Sequence, residues 1–126
     1  MALAPFLFDD FYQLKGDGTT ITMDLIFGDL GQSPDYRVTL AGRVLIPDAT
    51  HDGTASVKDF PLGKDVDIVD QILVVTGLIT DMPGTSDVLR ITFRISGGKS
   101  LLIKNFSVNA TTGDHVDISL TVRFFQ

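Results

Sequence analysis

Two stretches of this chain alternate apolar and polar residues without a break, and that period leaves little choice of backbone. From Val88 to Ser96, Leu89, Ile91, Phe93 and Ile95 fall on one side, and Arg90, Thr92, Arg94 and Ser96 on the other. From Val116 to Phe124, Val116, Ile118, Leu120, Val122 and Phe124 oppose Asp117, Ser119, Thr121 and Arg123. A period of two places successive side chains on opposite faces of a strand, so each segment has one dry face and one wet face. Thr20–Phe27 repeats the pattern with Ile21, Met23, Leu25 and Phe27 inward. Tyr36–Ile46 does so with Tyr36, Val38, Leu40, Val44 and Ile46 inward. Leu101–Val108 is a shorter strand of the same kind. Residues 65–77 carry two patterns: Ile68, Val69, Ile72 and Leu73 have helical spacing, whereas Ile72–Thr80 is rich in β-branched residues. A strand over about Gln71–Thr80, preceded by one short helical turn within 65–72, satisfies both.

The acidic residues support the same reading. All sixteen are Asp and none is Glu. Glu suits helices, whereas Asp competes for nearby backbone hydrogen bonds and suits turns and caps. Turn signals recur between the strands at Lys15–Gly18, Gly31–Asp35, Asp48–Gly53, Asp81–Gly84, Gly97–Gly98 and Thr112–Asp114. Gly97–Gly98 predicts a tight hairpin, since two-residue hairpin loops need positive φ. The expected fold is all-β: one antiparallel β-sandwich domain over 1–126, Greek-key or jelly-roll-like, of seven to nine strands.

Charge and composition exclude several function classes. Ten Lys and Arg against sixteen Asp give a net charge of −6, and the basic residues are scattered, so no nucleic-acid partner is expected. No apolar run is long enough for a membrane-spanning helix. Residues 1–8 are apolar but lack the basic flank and cleavage site of a secretory signal, so synthesis in the cytoplasm is expected and the final compartment is left open. Without cysteine, disulfides and thiolate sites are absent. Two matches to the Asn-x-Ser/Thr glycosylation pattern, at Asn105 and Asn109, gain no meaning without an export signal.

No motif names a reaction. Gly97-Gly98-Lys99-Ser100 has the letters of a phosphate-loop terminus, but Phe93 stands where the earlier glycine belongs and a strand follows where a helix is required. His51 and His115 sit beside Asp residues, a pairing that could orient a general base, yet no nucleophile elbow accompanies them. Oxygen-rich loops suit hard cations. Asp48 and Asp52, and Asp65, Asp67 and Asp70, are therefore the candidate ligands for Ca²⁺, the one cofactor considered. In a strand, Asp65 and Asp67 would share a face. The aromatic ends are the other candidate: Phe6, Phe8, Phe11 and Tyr12 crowd residues 1–14, and Phe124 and Phe125 lie at the opposite end. Apolar ends must pack either on their own sandwich or on a neighbour.

The leading expectation is a non-enzymatic structural or assembly module that forms a homo-oligomer, like a virion or tail-tube component by fold-level analogy. Residues 1–14 and the aromatic ends would make the contact. The alternative is a Ca²⁺-assisted carbohydrate- or ligand-binding sandwich using loops Asp48–Gly53, Asp65–Asp70 or Gly113–Asp117.

Overall fold

The computed structural model describes residues 1–28, 31–83 and 87–126. The strands are β1 (Phe6–Gln13), β2 (Thr20–Phe27), β3 (Gln32–Leu40), β4 (Arg43–Ile46), β5 (Val57–Lys64), β6 (Ile72–Asp81), β7 (Val88–Ser96), β8 (Leu102–Asn109) and β9 (His115–Phe125). One helical turn, α1 (Asp65–Ile68), follows β5. Two sheets face each other, with strand orders β1-β9-β6-β3-β4 and β5-β2-β7-β8. The fold is an all-β sandwich, as the periodicity predicts.

The alternating segments bury the side chains that their pattern selects. Leu89, Ile91, Phe93 and Ile95 of β7 are buried, as are Val116, Ile118, Leu120, Val122 and Phe124 of β9. With Ile21, Met23 and Leu25 of β2 and Leu73, Val75 and Ile79 of β6, they form one hydrophobic cluster between the sheets. At the inward position between Val75 and Ile79 stands Gly77. It pairs with Tyr36 across the β3–β6 ladder, and a Cβ there would lie 2.7 Å from that of Tyr36. Gly77 thus makes room for a ring that packs 5.2 Å from Phe27. It is a mid-strand residue of β6.

The structure departs from the sequence expectation in several places, each with a local cause. Tyr36–Ile46 is not one strand. Ala41 and Gly42 both have positive φ (52° and 78°) and form a two-residue hairpin loop between β3 and β4. This resets the alternation: Val44 pairs with Thr39 and turns outward, while Ile46 pairs with Val38 and stays buried. β3 also begins at Gln32, inside the expected turn at 31–35. The β7–β8 connection is longer than a two-residue loop, because Ile95 pairs with Leu102. Within it, Gly97 does take positive φ (104°), and a Cβ on Gly98 would lie 2.5 Å from the Tyr12 ring. The turn expected at Asp81–Gly84 reaches Gly84, which lies outside the described residues.

Two strands carry no clean signal in the sequence. β5 contains Pro61, Gly63 and a positive-φ Asp59, and its register with β2 shifts twice. It is an edge strand, where proline is tolerated. The bulge is held by Asp24, whose carboxylate accepts the Asp59 N–H at 2.7 Å. β1 differs from the expected all-antiparallel pattern, since it pairs in parallel with β9, from Phe6↔Ile118 to Gln13↔Phe125. Its inward rings close the open side of the sandwich. Phe6 stacks on Phe106 of β8 at 5.0 Å, and Phe8 meets Phe93 edge-on at 6.2 Å. The Tyr12 hydroxyl donates to Ser100 O at 2.6 Å and accepts the Gly98 N–H at 2.8 Å.

β1 is therefore part of the fold rather than an appendage. Replacing Phe6 by Ala empties the stack on Phe106 and is expected to cost about 3–5 kcal/mol in a urea titration. A loss below about 1 kcal/mol would show that β1 docks only loosely.

Candidate functional site

The Asp residues proposed from sequence as cation ligands fall into two groups with different tasks. Asp65 opens α1 with only 1% of its surface exposed. Its carboxylate accepts the N–H groups of Gly16 (2.7 Å), Asp17 (3.2 Å) and Gly18 (2.9 Å), while its own N–H donates to Thr19 O at 2.9 Å. Positive φ at Gly16 and Gly18 (81° and 85°) curls the β1–β2 turn so that three donors converge on one anion. The carboxylate is a clasp between that turn and α1. Asp67 and Asp70 are exposed, and because residues 65–68 are helical, Asp65 and Asp67 do not share a face as they would in a strand.

Asp48 and Asp52 lie in the loop between β4 and β5, where their carboxylates serve that loop. Asp48 accepts the N–H groups of Thr50 (2.8 Å) and His51 (2.7 Å) and the Thr50 hydroxyl (3.0 Å). Asp52 accepts the Thr54 hydroxyl at 2.8 Å and its N–H at 3.2 Å. These bonds hold both carboxyls below the usual carboxylate range, led at Asp48 by the Thr50 and His51 N–H groups and at Asp52 by the Thr54 hydroxyl. His51 is 3.6 Å from Asp48 Oδ1 and sets its ring edge-on to Phe60 at 5.1 Å. Asp17 bonds Thr19 in the same way as Asp52 bonds Thr54. The three Asp-x-Thr triplets at 17, 48 and 52 were a legible capping signal that cation-ligand reasoning passes over. Among the described residues, no three His or Asp side chains gather in a group that could hold a metal ion.

The aromatic ends divide. Phe6, Tyr12 and Phe124 are buried in the chain's own core, and Phe8 is half-buried against it. Phe11 is 64% exposed and Phe125 38%, with their rings edge to face at 6.1 Å on the outer surface of the five-stranded sheet. The register places Ile72, Arg123 and Phe11 in one row across β6, β9 and β1. Ile72 is itself 38% exposed, and Arg123 Nε lies 3.3 Å from Asp9 Oδ1. Leu7, 62% exposed, lines a shallow groove of about 270 Å³ on the same face with Asp9, Ser119 and Thr121. Sequence reasoning named Phe11 and Phe125 but missed Leu7 and Ile72. Their signal was the outward phase of β1 and β6, hidden because neither register could be assigned.

A larger open groove of about 460 Å³ lies where the β4–β5 loop crosses β3, lined by Asp35, Arg37, Thr54 and Thr76 among others. The loop sits directly on the strand. Gly53 O accepts the Tyr36 N–H at 2.8 Å, and a Cβ on Gly53 would lie 2.0 Å from Tyr36 O. Neither histidine lines this groove. Comparison with protein-family models, with curated proteins and with solved structures finds no match to this chain.

Replacing Asp65 by Ala strips the acceptor from three N–H groups and is expected to cost about 3 kcal/mol in chemical unfolding. Asp67→Ala should change stability by less than ~0.5 kcal/mol. Equal losses at the two positions would remove the clasp from the account. The tyrosines give a second measurement. Burial, with the Asp52 charge adding to it, pushes Tyr36 up to about 12, and burial also raises Tyr12 against the opposing Gly98 N–H. The neutral phenols are thus favoured in the folded state. The Tyr36 contribution is complete below the ordinary value of 10.0 and fades as pH rises through about 12, and that of Tyr12 changes in the same direction. With no Trp in the chain, tyrosinate absorbance should show delayed ionisation in folded protein and ordinary ionisation in urea. Identical curves in the two states would contradict it.

Proposed function

We propose that the chain is a non-enzymatic structural module that assembles with copies of itself through the outer face of the five-stranded sheet around β1 and β9, as subunits of virion or tail-tube-like particles do. The observation that carries this reading is the set of exposed apolar side chains, Leu7, Phe11, Ile72 and Phe125, that share that face. Large apolar residues grouped on a sheet face are commoner at subunit contacts than on free surface. The Arg123–Asp9 ion pair among them supplies a polar contact that a copied, self-complementary surface can repeat.

The sheet edges favour docking through the face rather than by strand addition. On β1, Phe11 N–H is taken by the carboxylate of Asp10 at 2.8 Å, which blocks one of the donors an incoming strand would need. On β8, an edge strand of the other sheet, Lys104 folds its ammonium over the Phe106 ring at 5.4 Å. Charged side chains on edge strands are a common guard against edge-to-edge pairing.

Sedimentation or mass photometry tests the reading. At roughly 100 μM the protein is expected to exceed its monomer mass of 13.7 kDa. The Phe11→Asp/Phe125→Asp double variant should run as a monomer. Its stability should fall by no more than about 1.5 kcal/mol, the scale of the ring pair it loses. A wild-type protein that stays monomeric under these conditions would refute the reading, as would a double variant that still assembles.

A further inference from the structure

Among the described residues, one buried carboxylate has no hydrogen-bond partner. Asp81 closes β6 with 1% of its surface exposed, and neither Oδ1 nor Oδ2 has a hydrogen-bond partner. Its phase on the strand is that of buried Leu73, Val75 and Ile79, so it belongs to the inner face of the sheet at one end of the sandwich. Among the described residues, the side-chain donors of Gln32 and Thr111 are engaged elsewhere. Gln32 pairs with Asp81 in the β3–β6 register, but its side-chain N–H donates to Arg90 O at 2.9 Å and its side-chain oxygen accepts the Arg90 N–H at 3.2 Å. The N–H and hydroxyl of Thr111 both go to Asp114 Oδ2, at 2.9 and 3.1 Å.

Asp114 lies opposite Asp81 just past the end of the β6–β9 ladder, which closes at Thr80↔His115. Its carbonyl accepts the Asp81 N–H at 2.8 Å, and the Asp81 carbonyl accepts the Gly113 N–H at 2.8 Å. Asp114 is also buried, and its remaining oxygen, Oδ1, lies 3.3 Å from the amino group of Met1, whose side chain is exposed. The last residue of β6 and the residue just before β9 are therefore both buried aspartates joined through their backbones, with one exposed ammonium group on Asp114. Burying a second negative charge unpaired beside the first is costly, and proteins offset such charges by pairing them or by binding a cation. The side-chain donors on these residues are oxygens, with no sulfur or imidazole among them, which selects a hard cation.

We propose that Asp81 and Asp114 supply the carboxylates of a site for a hard divalent cation at this end of the sandwich. Asp81 offers both oxygens and Asp114 offers Oδ1, and main-chain carbonyls and water complete the shell. The Met1 amino group is the local competitor for Asp114. Binding would fasten β6 to the start of β9, where Leu3 N–H already donates to His115 O at 2.8 Å and His115 N–H to Met1 O at 3.0 Å. This site is separate from the loops at 48–52 and 65–70, whose carboxylates cap their own backbone or lie exposed, and it does not depend on self-association.

Thermal unfolding with Ca²⁺ as the probe, and Mg²⁺ in parallel, tests the proposal. Millimolar Ca²⁺ is expected to raise the wild-type Tm by ~5 °C over the value in EDTA. Asp81→Asn should lose that rise and, in EDTA, should unfold at a higher temperature than wild type, because a neutral amide replaces an unpaired charge. Asp48→Asn/Asp52→Asn should keep the full rise. Should Asp81→Asn not fold, the same loss is required of Asp114→Asn, together with calorimetric binding of one Ca²⁺ per wild-type chain. No shift in wild type overturns the proposal. So does a shift retained by Asp81→Asn, or one abolished by the variant at 48 and 52.

Discussion

The dry seam between β7 and β9 is the constraint on which the rest of this molecule depends. Each strand commits every second side chain to the space between the sheets, and Phe93 and Phe124 are among the largest side chains wholly enclosed there. A slip of one residue in either strand would turn that whole set out to water, so the two strands fix their own registers. β6 and β2 then take theirs from β9 and β7 through long uninterrupted ladders. The outer strands β1, β4, β5 and β8 add closure, and three of them bring features that a period of two does not describe: a parallel pairing, a tight hairpin with a bulge, and a proline.

The division between what could and could not be read from the residues follows that hierarchy. Strands with one wet and one dry face announce themselves, because burial alone sets their alternation. β5 stayed hidden because Asp59, Pro61 and Gly63 interrupt the period where the chain bulges and bends. β1 stayed hidden because Phe6, Phe8, Phe11 and Tyr12 read as a greasy cluster. Only the parallel partner separates inward Phe6, Phe8 and Tyr12 from outward Phe11. The same gap limited the sites. Phe11 and Phe125 could be named from composition, whereas Asp81 looked like any other turn aspartate until its strand was seen to run one residue further into the interior.

The absence of Glu has a geometric reason in the structure. Asp10, Asp17, Asp24, Asp48, Asp52, Asp65 and Asp114 each accept at least one backbone N–H. Four of these bonds reach only two or three residues along the chain. One methylene suits that reach, and a second would carry the carboxylate past its target. Seven of the sixteen acidic residues thus fasten backbone, and this is why counting carboxylates in loops is a poor guide to cation sites here. The informative carboxylate is that of Asp81, buried without a hydrogen-bond partner.

The parallel pairing of β1 with β9 also governs the order in which the molecule can be made. Phe6 must wait for Ile118, and Gln13 for Phe125, before either can enter its ladder. A chain emerging from the ribosome therefore carries Phe6–Tyr12 unpaired until residues 118–125 have followed. Contacts so distant in sequence are slow to form and leave sticky surface open meanwhile. Until that clasp shuts, Phe6 and Phe8 lie bare beside Phe11. The nascent chain is then at its most adhesive on the side where the finished subunit is proposed to meet its copies.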